Sequence, residues 1–119
     1  MNQETAIQRR IMLALSQAGC LIFRNETSGA WVGKVLHRDA NQVTLTDARM
    51  IRFGLAVGSS DLIGVAPCGR FLAIEVKTPK GRASKQQQTF IEAVRKAGGI
   101  AGIARSPEEA LELLAQPEE

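Results

Sequence analysis

Phe71-Leu72-Ala73-Ile74-Glu75-Val76-Lys77 is an apolar run that ends in an acid and a lysine two residues apart, and Gly58-Ser59-Ser60-Asp61-Leu62-Ile63-Gly64 stands a short gap before it. Successive strand side chains point to opposite faces, so Leu72, Ile74 and Val76 share one face while Phe71, Ala73, Glu75 and Lys77 share the other. The first face is wholly apolar and reads as core. The second begins apolar and closes on two charges, the pattern of a strand whose C-terminal end opens into a cleft. Glu75 and Lys77 project side by side there, and Asp61 sits on a turn before another short apolar run.

Two carboxylates brought to one point, Asp61 and Glu75, offer the hard oxygen ligands that suit Mg2+ or Mn2+. A lysine beside such an ion can position or help deprotonate an attacking water and stabilise an anionic phosphoryl transition state, while the ion polarises the scissile phosphate. Each fragment alone has a plainer reading, because Glu-x-Lys on a strand is commonly a solvated pair and Asp after Ser-Ser is commonly a turn residue. The order acid, apolar strand, Glu-x-Lys, basic loop and capped helix favours the chemical reading.

These residues resemble the PD-(D/E)xK nuclease superfamily and, within it, the VRR-NUC (virus-type replication-repair nuclease) domain. The resemblance rests on Gly58 to Gly64, on Ile74-Glu75-Val76-Lys77, on Gly81-Arg82-x-Ser84-x-x-Gln87-x-x-Phe90, and on Gly98-Gly99 leading to Ala104-Arg105-Ser106; it spans most of the chain, from Glu4 to Leu114. It departs at Ser60, where the superfamily carries a proline, a position that is not a ligand. The resemblance implies an α/β, restriction-endonuclease-like fold: a central mixed β-sheet flanked by helices, with an αβββαβ-type core. It implies one or two Mg2+ or Mn2+ ions held by Asp61, Glu75 and the backbone carbonyl of Val76, with Glu4 completing the acidic site directly or through water. Gln87 joins the active site by the same comparison and would orient water or phosphate. Small stand-alone proteins of this kind tend to act as homodimers on branched DNA, including Holliday junctions, in replication, repair or recombination, and a phage or prophage origin is an expectation of the same kind.

At 119 residues the chain is expected to form a single nuclease-like domain over residues 1–119, with an acidic C-terminal tail at about 115–119. Its 45% hydrophobic and 23% charged residues fit an ordinary soluble globular protein. No apolar run reaches the length of a membrane span and Met1-Asn2-Gln3-Glu4 does not read as a signal peptide, so a cytoplasmic location and no membrane partner are expected. Cys20 and Cys68 lie far apart without zinc-type spacing and read as buried small hydrophobes, and the lone His37 gives no support to His-metal chemistry. Mg2+ or Mn2+ is the expected cofactor, with no small-molecule cofactor. The net charge of +3 conceals an asymmetry: all 15 Lys and Arg but only seven acids lie in residues 1–105, while the last fourteen residues hold five acids and no base. The body therefore favours a polyanion.

Along the chain, residues 3–18 carry Ile7, Ile11, Ala14, Leu15 and Ala18 at helical spacing, ending at Gly19. Glu4 stands one turn before Ile7, either as a first-turn acid favoured by the helix dipole or as an acid aimed at Asp61 and Glu75. Residues 20–24 read as a buried strand, with Arg24 and Asn25 at its end as a phosphate-contacting or loop-capping pair. A loop is expected over residues 25–33, where Trp31 either packs or stacks on a base, packing being the commoner role. Residues 43–46 and 50–55 read as a hairpin turning at Asp47-Ala48-Arg49; the basic region 34–52 is either a DNA-contacting flap or a dimer element.

Past Lys77, the loop Thr78-Pro79-Lys80-Gly81-Arg82-Ala83-Ser84-Lys85 clusters bases where phosphates flanking the scissile one would lie. Lys80, Arg82, Ser84 and Lys85, with Arg24 and Asn25, form the expected DNA-binding set. Ser84 caps a helix with the stripe Gln87, Phe90, Ile91, Val94 and Ala97, and Ser84-x-x-Gln87 has capping-box spacing, so Gln87 belongs to the cap or to the site. Residues 100–104 read as a strand completing a right-handed βαβ unit, and Ser106-Pro107-Glu108-Glu109 opens a last helix through Leu114. The reading is a metal-dependent DNA endonuclease built on Asp61, Glu75, Lys77, Gln87 and Glu4. Its rivals are a non-catalytic nucleic-acid-binding module on the same fold, which would not need an acidic centre in a basic protein, and a sequence-specific restriction enzyme, for which no base-reading element is present.

Overall fold

The computed structural model describes residues 2–118. In chain order the elements are α1 (Gln3–Gln17), β1 (Leu21–Arg24), β2 (Ser28–Arg38), β3 (Val43–Phe53), β4 (Leu62–Val65), β5 (Phe71–Val76), α2 (Lys85–Lys96), β6 (Ile100–Ala104) and α3 (Pro107–Leu113). They form two compact units, one holding the chain up to Asn25 and from Val57 onward, the other Glu26–Ala56.

The larger unit is a four-stranded sheet in the order β1-β4-β5-β6. β1 with β4 and β4 with β5 run antiparallel, β5 with β6 parallel, and α2 makes the crossover between the parallel pair. This is the mixed sheet with an αβββαβ core expected from the sequence. Four-residue steps place Ile7, Ile11 and Leu15 on one buried face of α1, which packs against β5 and α3. Leu72, Ile74 and Val76 of β5 join that layer together with Ala110 of α3. Ala73, on the opposite face, packs with Ile91 and Val94 of α2 and Ala101 of β6. β5 is thus covered on both sides, and Glu75 lies on the α2 side by the period of two. Gly64 marks where β4 passes close to β1: a Cβ there would collide with the Leu21 carbonyl.

The end of the sheet remote from Lys77 is tied down by one arginine. Arg70 donates from Nε to the Gly98 carbonyl at 2.7 Å and from Nη2 to Gly99 at 3.2 Å and Pro117 at 3.3 Å, with a further bond from Nη1 to the Gln116 carbonyl. These carbonyls belong to the end of α2 and to the chain after α3, so Arg70→Ala releases both. The expected cost is about 2 kcal/mol of unfolding free energy, read in a urea titration, because hydrogen bonds to a charged donor are worth more than neutral ones.

Two expectations are corrected here. Cys20 is buried, but Cys68 is exposed, because it falls in the tight turn between β4 and β5 where Gly69 takes φ 91 and its N–H donates to the Ala66 carbonyl. The second concerns Glu26–Ala56. Instead of a loop followed by a hairpin turning at residues 47–49, β2 and β3 pair over their whole lengths, from Ser28 opposite Phe53 to Arg38 opposite Val43. The turn lies at residues 39–42, where Asp39 Oδ1 accepts from the N–H groups of Asn41 and Gln42, an Asx arrangement. Asp47, with φ 54, lies inside β3 beside an irregularity in the register rather than at a turn. Gly29 and Gly33, read from sequence as loop residues, lie within β2.

Candidate active site

Leu62 pairs with Ile74, so one further step in the antiparallel register sets Asp61 opposite Glu75. Directly opposed residues carry their side chains on the same face with Cβ atoms ~5 Å apart. Asp61 is held by two backbone N–H groups. Its Oδ2 accepts from the Val76 N–H at 2.9 Å, and its carbonyl accepts from the Asn25 N–H at 2.8 Å. The turn leading to it is fixed by the Asn25 carboxamide, whose Nδ2 donates to Ser59 Oγ at 2.7 Å and to the Ser60 carbonyl at 2.9 Å.

Glu75 is only 2% exposed. Its Oε2 faces Lys77 Nζ at 3.4 Å and accepts from Gln87 Nε2 at 3.1 Å. Its Oε1 is buried without a hydrogen-bond partner, as is the hydroxyl of Ser60 beside Asp61. Burial first, then the neighbouring Asp61 carboxyl, push the Glu75 carboxyl up to about 8, against the opposing pull of Lys77. A half-buried and a buried carboxyl group therefore share one place, with one oxygen of the buried one unanswered. Such a pair fits a divalent cation, which would replace the proton and satisfy the oxygen, and the all-oxygen donor set suits Mg2+ or Mn2+.

Gln87 serves two partners at once. Ser84 Oγ accepts from the Gln87 N–H at 3.1 Å and Gln87 Oε1 accepts from the Ser84 N–H at 2.8 Å, a complete capping box. The nitrogen of the same carboxamide is the donor to Glu75. An amide has an acceptor end and a donor end, so the two readings of this residue are compatible. Ser84 takes part in the cap, and Asn25 in the turn.

Glu4 does not join the pair. It is exposed on the first turn of α1, and among the described residues no group of three or more His, Cys, Asp and Glu side chains comes together. A first-turn carboxylate is favoured at this place by the helix dipole. Lys80, Arg82 and Lys85 are exposed on and after the loop that follows Lys77, and Arg24 is exposed at the end of β1. That loop is held from β6: Arg105 donates from Nη2 to the Gly81 carbonyl at 2.8 Å, while its own N–H donates to Glu109 Oε1 at 2.7 Å. Arg105 was not among the expected site residues; its place just after the strand parallel to β5 was the available signal.

Three comparisons bear on this geometry. A family model described as the VRR-NUC domain matches residues 2–108. A solved structure titled as a VRR_NUC domain matches with a TM-score of 0.60 at 16% identity, covering 98% of each chain, a likeness that speaks to the fold. No curated protein matches.

Proposed function

The chain belongs to the VRR-NUC domain family, a nuclease family of PD-(D/E)xK type, and on that premise we propose that it is a divalent-cation-dependent DNA endonuclease that hydrolyses phosphodiester bonds in branched DNA such as Holliday junctions. The observation that carries this reading is the opposed pair Asp61 and Glu75, with a buried carboxylate oxygen lacking a partner and Lys77 Nζ 3.4 Å from the other oxygen. Asp61, Glu75 and the Val76 carbonyl would hold the ion. Bound there, Mg2+ or Mn2+ supplies Lewis acidity toward the phosphate oxygens. Lys77 orients the attacking water and offsets charge developing on the phosphoryl group, and Gln87 keeps Glu75 in one rotamer through its donated hydrogen bond. Lys80, Arg82 and Lys85, with Arg24 at the end of β1, contact flanking phosphates. Among the described residues no helix is long and apolar enough to cross a membrane; action on DNA in the cytoplasm follows from the nuclease reading, and a homodimer would offer two sites to the two strands of a junction.

Labelled linear, flap, fork and four-way-junction DNA incubated with the protein and Mg2+, Mn2+ or EDTA test the reading, and light scattering gives the mass in solution. Cleavage of the branched substrates that stops in EDTA is the expected result. Binding of DNA with no cleavage under any metal would leave only a nucleic-acid-binding module on this fold.

Gln87→Glu separates the two duties of that residue. Glutamate at the same place keeps the capping box, so the helix should stay folded by circular dichroism. It removes the donor to Glu75 and adds a third carboxylate. Single-turnover cleavage is expected to fall by about tenfold or more, and a wild-type rate would return Gln87 to capping alone.

A further inference from the structure

We propose that Asn25 is a positioning residue for the cation-binding turn, and that its carboxamide sets the Asp61 carboxylate rather than gripping DNA. The proposal rests on the cation-dependent nuclease reading above. Three bonds carry it. The backbone N–H of Asn25 donates to the Asp61 carbonyl at 2.8 Å, and its Nδ2 donates to Ser59 Oγ at 2.7 Å and to the Ser60 carbonyl at 2.9 Å. Both hydrogens of the amide nitrogen are therefore spent on the two residues that precede Asp61, and neither is directed to a phosphate.

The surroundings explain why a side chain is needed for this task. Asp61 stands one residue before β4, so the sheet ladder that begins at Leu62 paired with Ile74 does not fix the turn ahead of it. Ser59 and Ser60 are buried at 7% and 1% exposure, and the Ser60 hydroxyl has no partner. Buried backbone groups in such a turn require donors from elsewhere. Asn25 supplies them from the end of β1, the neighbour of β4. It is also the last residue before the chain leaves for Glu26–Ala56, and Ser59 lies two residues after the return at Val57. The bond between them closes the root of that excursion, so the same amide fixes where the strand ends and where the acid begins.

Groups one step behind a cation ligand usually change affinity for the ion and the turnover it supports, whereas phosphate contacts change affinity for DNA. Asn25→Ala and Ser59→Ala in the full chain are therefore compared with wild type in three measurements: Mn2+ binding by calorimetry, steady-state cleavage, and DNA affinity in EDTA. Asn25→Ala is expected to weaken Mn2+ binding about tenfold and to lower kcat by a similar factor, with KM and DNA affinity within about twofold of wild type. Ser59→Ala, which leaves the bond to the Ser60 carbonyl, should shift Mn2+ binding in the same direction by a smaller factor. Weakened DNA binding with unchanged Mn2+ affinity would overturn the proposal in favour of a phosphate contact, and wild-type values throughout would overturn it outright. Should Asn25→Ala fail to fold, Ser59→Ala decides in the same way. Wild-type protein that takes up no Mn2+ sinks the nuclease reading and this proposal with it; wild-type protein that binds Mn2+, beside variants equal to it, sinks this proposal alone.

Discussion

Glu75→Gln is expected to abolish cleavage and, at the same time, to raise the melting temperature of the metal-free protein at pH 8. The two effects have one cause. Glu75 lies almost wholly out of solvent beside a second carboxyl group, which is the right place for a cation and the wrong place for an unpaired charge. In the folded chain its carboxyl titrates at about 8 instead of 4.5, so folding takes up a proton between those values. The stability tied to that proton is fully present below the unfolded value and is lost as pH rises through the folded one. Metal-free wild type should therefore melt at progressively lower temperature from pH 5 to pH 8, by at most ~1.4 kcal/mol per pH unit, the linkage slope of one proton. Glutamine is close in shape, can still accept from Gln87 and Lys77, and removes the charge. Its thermal profile over this range should be nearly flat. Saturating Mn2+ should restore wild type at pH 8 and leave the variant unmoved. A variant that melts below wild type at pH 8 without metal would contradict this account of the site, and one that still cleaves DNA would remove Glu75 from the ion's ligands.

Where sequence and structure agree, the reason is periodicity under burial. The alternation in residues 71–77 told which face of β5 carries Glu75 and Lys77, and the sheet keeps that division between two separate cores. Asp61 was legible as an acid on a turn, but its place opposite Glu75 depends on the pairing of Leu62 with Ile74, which no local pattern encodes. Gln87 was visible as two competing readings because one-dimensional spacing cannot divide an amide into its two ends. Helical spacing aligns Glu4 with Ile7, but spacing fixes direction about the axis and not distance from the sheet. Asn25 drew attention beside Arg24 as a polar pair, while its partners Ser59 and Ser60 lie more than thirty residues away. The hairpin was misplaced because it lacks the signal that burial imprints. Trp31, Val35, Val43, Met50 and Phe53 are all exposed in it, so no polar and apolar alternation marks an inner face, and glycines within β2 read as loop.

Lys77→Ala is expected to lower kcat by about a thousandfold or more while DNA affinity in EDTA stays within a few-fold, because a lysine beside the scissile phosphate acts where charge and proton move. Its position argues for more than one contribution. The side chain is 16% exposed, a cation beside the buried Glu75, with Nζ 3.4 Å from Glu75 Oε2. Lys77 pulls the Glu75 carboxyl down against burial and Asp61. Removing it therefore pushes Glu75 further up, so a proton competes harder with the ion at any given pH. The variant should need more Mn2+ and a more alkaline medium to reach its own maximum, a shift visible in the pH dependence of kcat/KM. That part of the loss is recoverable by raising Mn2+ and pH together. The part that remains at saturating metal and high pH belongs to the ammonium group's work on water and phosphate. Lys77→Arg sharpens the division: it keeps the positive charge opposing protonation of Glu75, but brings a wide planar fork in place of a compact ammonium. It should restore the Mn2+ requirement and the pH profile toward wild type without restoring kcat. If Lys77→Arg recovered full turnover, charge alone would account for this residue; if Lys77→Ala recovered it at high Mn2+ and pH, the lysine would serve only to keep Glu75 ionised.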